Sequence, residues 1–181
     1  MSPETARFAA RARDNDERVR VERLPNGAFR LAARLHVPVK GERVFAFFSN
    51  AANLGAITPP EMRFRMRTPS PIEMRPCALI DYTIRLWGVP LKWRTRISRW
   101  EPGRLFVDEQ LRGPYRSWVH THRFTAVPGG TVIEDEVVYA LRFGVLGRVA
   151  APLVRRQLIR IFGYRQKRVR ELLCGELRGS E

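Results

Sequence analysis

Residues 94–124, RTRISRWEPGRLFVDEQLRGPYRSWVHTHRF, determine the fold, because runs of β-branched and aromatic residues alternate here with turn sequences. The runs, extended slightly on both sides, are Leu91–Trp100, Leu105–Arg112 and Ser117–Val127. The segments between them, 101–103 and 113–115, contain glycine and proline, which favour the backbone angles of tight turns. The stretch therefore predicts three consecutive antiparallel strands.

The strand pattern continues on both sides of this stretch. Phe64–Arg67, Leu79–Trp87 and Thr131–Leu141 also predict strands. Their connections to the central strands are Gly88-Val89-Pro90 and Pro128-Gly129-Gly130, which are again turn sequences. The region as a whole predicts an antiparallel meander.

Upstream of the meander the sequence predicts a hairpin and two short helices. Asn26-Gly27 separates two alternating segments, which indicates a hairpin that leads into a strand at residues 28–37. Glu42–Ser49 carries apolar residues at helical spacing, and Asn50–Ile57 predicts a second helix, ended by the prolines that follow it. We therefore expect two short helices after the first core strand.

After Gly144 the apolar period becomes helical. The predicted apolar stripe comprises Leu146, Val149, Leu153, Leu158, Ile161, Phe162, Val169, Leu172 and Leu173. Most of the polar flank is basic, with Arg155, Arg156, Arg160, Arg165, Lys167, Arg168 and Arg170. We expect Pro152 to kink or restart this long helix. An amphipathic helix of this length needs a large apolar partner, which the concave face of the sheet provides.

Composition predicts one globular domain, since 44% of the 181 residues are hydrophobic and 28% are charged. We expect a flexible N-terminal extension at 1–17 and a single domain at 18–178. The net charge of +15 comes mostly from arginines spread along the chain, which is typical of solvated faces. Cys77 and Cys174 form no CxxC pattern, and a signal-peptide core and long apolar runs are missing from the sequence. We therefore predict a soluble, cytoplasmic protein.

The element order, with the motifs NLGAITPP (53–60), 94–124 and DEVVYALRFG (135–144), resembles the START-like polyketide cyclase and lipid-transport superfamily, often labelled SRPBCC. Its bacterial ligand-binding SRPBCC branch is the most similar, from about residue 28 to residue 174. The resemblance implies an α+β helix-grip fold, in which a curved antiparallel sheet wraps a long C-terminal helix. It also implies a ligand-binding cavity between sheet and helix. Arg142 departs from the family pattern, which has proline there.

Alternation along the strands places the polar residues of this predicted cavity. Side chains two apart share a face, so the inner, aromatic face carries Trp118, His120, His122 and Phe124. A two-residue turn at Gly129-Gly130 would place Asp135 diagonal to His122 and Tyr139 opposite His120. Glu134 and Glu136 would then point outward.

The strand at 105–112 has two possible registers. A loop of two or four residues turns Glu109 inward, whereas a loop of three turns Phe106, Asp108 and Gln110 inward. We favour the second, because the first exposes Phe106 and because the resembled pattern reads F-x-D-x-Q.

These placements favour the binding of a hydrophobic small molecule, such as a lipid, a polyketide or another aromatic compound. The predicted ligand-binding residues are Tyr82, Trp93, Phe106, Asp108, Gln110, Trp118, His120, His122, Asp135 and Tyr139, with Trp87 as a further wall. Each aromatic taken alone is also compatible with simple core packing.

The alternative function is that of a cyclase or dehydratase enzyme. His120 or His122 would act as the base, Asp135 or Asp108 would orient it, and Tyr139 would donate a proton to an enolate. Buried histidine–carboxylate pairs also occur as satisfied core groups, so sequence alone assigns no catalytic residue firmly.

Other chemistry has weaker support in the sequence. A His-x-His strand can offer two ligands to a metal, but only His36 remains elsewhere, so we predict no metal site. Phosphate-loop and dinucleotide fingerprints are missing, so we predict no cofactor. The basic helix suggests a less favoured function, contact with an anionic membrane surface or nucleic acid. We predict no specific nucleic-acid partner and no membrane insertion.

Overall fold

The computed structural model of the chain describes residues 17–142 and 144–175. Within these residues one antiparallel sheet has eight strands, in the order β1-β2-β8-β7-β6-β5-β4-β3. The strands are β1 (Arg20–Arg23), β2 (Phe29–Val37), β3 (Arg65–Met66), β4 (Leu79–Leu86), β5 (Val89–Glu101), β6 (Leu105–Arg112), β7 (Ser117–Val127) and β8 (Gly130–Ala140). The α-helices are α1 (Gly41–Ser49) and α2 (Gly144–Gly175). A large antiparallel sheet with a long C-terminal helix confirms the predicted α+β helix-grip fold.

The turn between β7 and β8 is displaced from its predicted position. Val127 pairs with Gly130, so the turn residues are Pro128 and Gly129 rather than Gly129 and Gly130. Gly130 takes a φ of +151°, and a Cβ there would lie 2.1 Å from the carbonyl oxygen of Val37. The predicted register is therefore wrong by two residues, although every side chain keeps its predicted face.

The hairpin between β4 and β5 places Trp87 away from its predicted position. Trp87 and Gly88 form its tip with φ angles of 49° and 81°, and Val89 already pairs within β5. Trp87 is 56% exposed at this tip and does not line the cavity described below. The expectation that Trp87 forms a cavity wall is therefore wrong.

Of the two helices predicted after β2, only the first is an α-helix. It buries Val44, Phe45 and Phe48. The second is a single 3-10 turn at Ala51–Leu54, followed by another at Pro60–Met62. Pro59 and Pro60 leave too little chain for a longer helix.

Helix α2 packs with one face against the sheet. Leu158, Phe162, Val169 and Leu173 are buried at helical spacing. Val149 and Leu153, which we predicted in the same stripe, are 76% and 56% exposed. Val149 and Leu153 therefore lie outside the packed face of α2. The side chain of Leu146 lies outside the described set.

Charged residues occupy the outer face of the sheet. Arg34 pairs with Glu134, Arg30 with Glu136 and Arg96 with Glu109. Asp81 accepts two hydrogen bonds from Arg94, at 2.8 and 2.9 Å, which lower the pKa of this carboxyl. The glutamates that alternation turned outward are thus paired on the solvent side.

Glu17 is the last residue of the predicted N-terminal extension and the first described residue. Its carboxylate accepts hydrogen bonds from Arg170 Nη2 at 2.6 and 2.7 Å, and its carbonyl accepts one from Gln166 Nε2 at 3.1 Å. These contacts join Glu17 to α2, whereas the flexible extension at 1–17 stays a prediction. Residues 1–16 of the predicted extension and residues 176–178 of the predicted domain lie outside the described residues.

Candidate ligand-binding site

A cavity of about 160 Å³ lies between the sheet and α2. Seven of the predicted ligand-binding residues line it: Tyr82, Trp93, Phe106, Asp108, Trp118, His120 and His122. Phe48 of α1 and Leu158, Phe162 and Arg165 of α2 close the opposite side. The site thus combines aromatic and aliphatic walls with a few polar groups.

Gln110 has a different role from the one that we predicted. Its amide donates to the Tyr115 carbonyl at 2.9 Å, and its Oε1 accepts from the Tyr115 amide at 3.3 Å. Gly113 makes room for this side chain, because a Cβ there would lie 2.2 Å from it. Gln110 therefore fixes the β6–β7 loop and does not line the cavity.

Tyr139 and Asp135 lie behind the cavity wall rather than on it. Tyr139 is 1% exposed and stacks on Phe29 with ring centroids 5.4 Å apart. It lies opposite Trp118 rather than opposite His120, as a consequence of the displaced turn. Asp135 lies directly opposite His122 and contacts both histidines.

Asp108, His120, His122 and Asp135 form a closed cluster, which we call the His–Asp ring. His122 Nε2 lies 2.9 Å from Asp108 Oδ2, and His122 Nδ1 lies 2.9 Å from Asp135 Oδ1. His120 Nε2 lies 2.9 Å from Asp135 Oδ1, and His120 Nδ1 lies 3.5 Å from Asp108 Oδ2. Every imidazole nitrogen of the ring therefore faces a carboxylate.

Sheet register brings the members of this ring together. Asp108 of β6 pairs with His120 of β7, and His122 pairs with Asp135 of β8. Because these positions lie on one face of three neighbouring strands, their side chains meet on the side that faces α2. The inward placement of Asp108 agrees with the favoured register of the 105–112 strand.

Arg165 of α2 adds a positive charge beside the His–Asp ring. Its Nε lies 3.7 Å from Asp135 Oδ2, and its guanidinium carbon lies 5.3 Å from the centre of the Phe48 ring. Arg165 was predicted on the polar flank of the helix, and its contact with Asp135 was not predicted. The missed signal is its spacing, because Arg165 falls between Phe162 and Val169 on the buried face of α2.

The carboxylates of the ring are held in the charged form. Burial alone would raise the pKa of Asp135, but Arg165 and both imidazoles outweigh burial and hold that pKa well below its usual range. Burial also opposes ionisation of Asp108, whose pKa is nevertheless lowered by His120, His122 and Arg165.

The pKa values of the two imidazoles are shifted in opposite directions. Burial opposes the charged form of both, but hydrogen bonds to Asp108 and Asp135 raise the pKa of His122. The pKa of His120 is lowered by burial and by the charge of His122, which together outweigh the two carboxylates. The ring therefore favours the charged form of His122 over that of His120, and His122 and Arg165 both lie against Asp135.

Three members of the ring also have the arrangement of metal ligands. The ligand atoms of Asp108, His120 and His122 all lie within 4.8 Å of one another. All three side chains line the cavity. The ring can therefore present hydrogen-bonding groups to a bound molecule. Alternatively, it can present three ligands to a metal ion.

The fold and the cavity define a helix-grip protein with an internal cavity. The family model described as polyketide cyclase/dehydrase and lipid transport matches residues 37–162, so the chain belongs to this family. This match confirms the resemblance stated from the sequence motifs. No curated protein sequence matches the chain.

Solved structures show the same fold at low sequence identity. Protein Ms6760 from Mycobacterium smegmatis has a TM-score of 0.63 and 14% identity, over 87% of this chain and 99% of that one. The ZhuI aromatase/cyclase from Streptomyces sp. R1128 has a TM-score of 0.59 and 12% identity, over 79% and 94%. The major latex-like protein 151 from Panax ginseng has a TM-score of 0.58 and 8% identity, over 80% and 96%. At these identities the likeness shows the fold alone.

Proposed function

We propose that the protein binds a hydrophobic small molecule that carries a hydrogen-bonding group, in the cavity between the sheet and α2. The observation that carries this proposal is the lining, in which apolar and aromatic walls are combined with polar groups that include Asp108, His120, His122 and Arg165. Sites for small molecules are commonly apolar, with a few polar groups that fix the orientation of the ligand.

The cavity volume favours a compact ligand. A dry protein cavity of about 150 Å³ binds benzene, and the cavity here measures about 160 Å³. Among the expected ligand classes, a small aromatic compound therefore fits best inside the cavity. Exposed Asn50 also lines the cavity, so part of a longer lipid or polyketide would extend out of the cavity on this side.

The polar groups of the lining favour a ligand with a hydroxyl or carbonyl group. Asp108 offers a carboxylate that can accept a hydrogen bond, and Arg165 offers a guanidinium that can donate one. The Arg165 Nε has no hydrogen-bond partner, although it is buried. Arg165 Nε lies 3.7 Å from Asp135 Oδ2, and a ligand oxygen at this end could accept the hydrogen bond that this nitrogen does not otherwise make.

Enzymatic activity as a cyclase or dehydratase is the second function that the family suggests, and the ZhuI structure bears the name aromatase/cyclase. The predicted catalytic set needs Asp135 or Asp108 as the orienting group and Tyr139 as the proton donor. Asp135 contacts both histidines, but Tyr139 is packed behind the wall against Phe29. The loss of the proton donor from the cavity favours binding over this set of catalytic roles.

Contact of α2 with an anionic surface remains a weaker prediction. Arg160 pairs with Glu61, Arg168 with Glu171, and Arg170 with Glu17. These ion pairs reduce the charge that the helix offers to a polyanion. Among the described residues, no helix is both long enough and apolar enough to cross a membrane.

A cavity-filling variant tests the binding proposal. Leu158 lines the cavity, whereas Leu153 lies on the same helix and is exposed, so Leu158→Trp and Leu153→Trp form a matched pair. We expect 1-naphthol to raise the Tm of the wild-type and Leu153→Trp proteins, but not that of Leu158→Trp. Palmitate serves as the lipid comparison, and calorimetric titration of the wild-type protein gives the stoichiometry.

Two results would contradict the proposal. The first is that neither naphthol, phenol nor palmitate binds the wild-type protein in calorimetry. The second is that naphthol binds Leu158→Trp as tightly as the wild type, since an indole in the cavity leaves no space for the ligand.

A further inference from the structure

We propose that Asp108, His120 and His122 bind a divalent transition-metal ion of the zinc type at the wall of the cavity. This inference departs from the prediction of no metal site that the sequence supported. It depends on the donor geometry and does not require the hydrophobic ligand.

The first argument is the spacing of the donor atoms. Asp108 Oδ2 lies 2.9 Å from His122 Nε2 and 3.5 Å from His120 Nδ1, and the full set lies within 4.8 Å. Zinc bonds to imidazole nitrogen and carboxylate oxygen are about 2.0–2.2 Å long, which places neighbouring ligand atoms about 3–3.5 Å apart. An ion can therefore replace the direct His–Asp contacts with only small side-chain movements.

The second argument is the carboxylate behind the imidazoles. The ring nitrogens that face away from Asp108, His120 Nε2 and His122 Nδ1, each lie 2.9 Å from Asp135 Oδ1. Metal-binding histidines almost always donate their second N–H group to such a carboxylate or carbonyl, which fixes the tautomer and the orientation of the ring. Asp135 thus directs the remaining nitrogen of both rings toward Asp108, where an ion would lie.

The third argument is access from the cavity. Asp108, His120 and His122 line the cavity, whereas Asp135 does not, so three protein ligands leave coordination positions on the cavity side. Two imidazoles and one carboxylate suit zinc or iron(II), and the open positions accept water or an oxygen donor of a small molecule. The class of ligand at these positions is therefore an oxygen-bearing compound.

Titration of the EDTA-treated full chain with Co²⁺ tests the proposal without any organic ligand. We expect visible absorption bands of protein-bound Co²⁺ that saturate at one ion per chain and disappear when Zn²⁺ is added. Elemental analysis of the protein after addition of Zn²⁺ and removal of free metal should give one zinc ion per chain. Absence of both signals from the wild-type protein would overturn the proposal.

Variants separate this site from adventitious binding. Asp108→Asn and His122→Gln should abolish the bands, and Asp135→Asn should weaken Co²⁺ binding about 10–100-fold through loss of ring orientation. His36→Gln is the matched control, because His36 is exposed on β2. Equal Co²⁺ affinity in folded Asp108→Asn and wild-type protein would refute the site. Should Asp108→Asn fail to fold, folded His120→Gln gives the same test.

The metal and ligand proposals can fail separately. Naphthol binding to EDTA-treated protein tests the cavity alone, whereas the Co²⁺ titration without naphthol tests the ring alone. Loss of one response with retention of the other therefore identifies which proposal is wrong.

Discussion

Asp135→Asn should destabilise the protein strongly, although the substitution changes neither the size nor the shape of the side chain. The carboxylate is 7% exposed and contacts two imidazoles and the Arg165 guanidinium. Removing its charge leaves the buried Arg165 guanidinium and the two imidazoles without the anion that they share. Breaking one partner of a buried charge network costs about 3–5 kcal/mol.

The adjacent residue on β8 provides a control with the opposite expectation. Glu134 lies on the outer face, where its Oε1 is 3.8 Å from Arg34 Nε. A surface ion pair of this kind contributes about 0–1 kcal/mol, so Glu134→Gln should have a small effect. The two neutral amide substitutions are one residue apart and differ mainly in which face of the sheet they occupy.

Urea unfolding followed by tryptophan fluorescence measures both free energies of unfolding, because Trp93 and Trp118 are buried near the ring. EDTA should be present so that no metal contributes. For a chain of this size, a loss of about 3–5 kcal/mol corresponds to a decrease in Tm of roughly 6–20 °C. If Asp135→Asn unfolds at the same urea concentration as Glu134→Gln, the contacts of Asp135 with the imidazoles and Arg165 do not stabilise the fold.

Three further predictions concern the framework around the site. Gly113→Ala should lower the free energy of unfolding by about 1–2 kcal/mol in chemical denaturation, because the alanine Cβ displaces the Gln110 amide from the β6–β7 loop. An equal loss of stability in a Gln110→Ala background would contradict this cause. Thr131→Val should cost about 1–3 kcal/mol, because the buried hydroxyl donates to the Val39 carbonyl at 2.7 Å, and Thr131→Ser should retain most of the stability in the same assay. The folded-state pKa of Asp81 is lowered, so its carboxylate stabilises the fold above the unfolded pKa of about 3.9, and this stabilisation is lost as the pH falls through the folded-state pKa. The difference in Tm between wild type and Asp81→Asn should therefore be present at neutral pH and disappear in acid, and a difference independent of pH would argue against the ion pair.

The face of each strand could be predicted from the sequence, because alternation depends only on the backbone geometry of a strand. His120, His122 and Asp108 lie on the inner face as expected. The resembled motif and the aromatic pattern supplied the choice between the two registers of β6. Neither source could show that Gln110, on the same face, bonds the loop instead of lining the cavity.

The position of the β7–β8 turn could not be predicted, because two neighbouring glycines both suit a hairpin. The contact that selects Pro128-Gly129 is the approach of Gly130 to the Val37 carbonyl, which is a long-range feature. Arg165 was missed for a related reason. A basic residue on an amphipathic helix is usually solvated, and its burial depends on the carboxylate of Asp135 across the cavity.

The His–Asp ring has a consequence for the fidelity of folding. A slip of β8 along β7 by two residues leaves all side chains on their original faces, so hydrophobic patterning does not penalise it. A slip in one direction would place Asp135 opposite Phe124 and only diagonal to His122, so the buried carboxylate would lose its direct pairing with an imidazole. The native alignment places His122 2.9 Å from both Asp108 and Asp135, so the His–Asp ring also favours the correct register of the sheet.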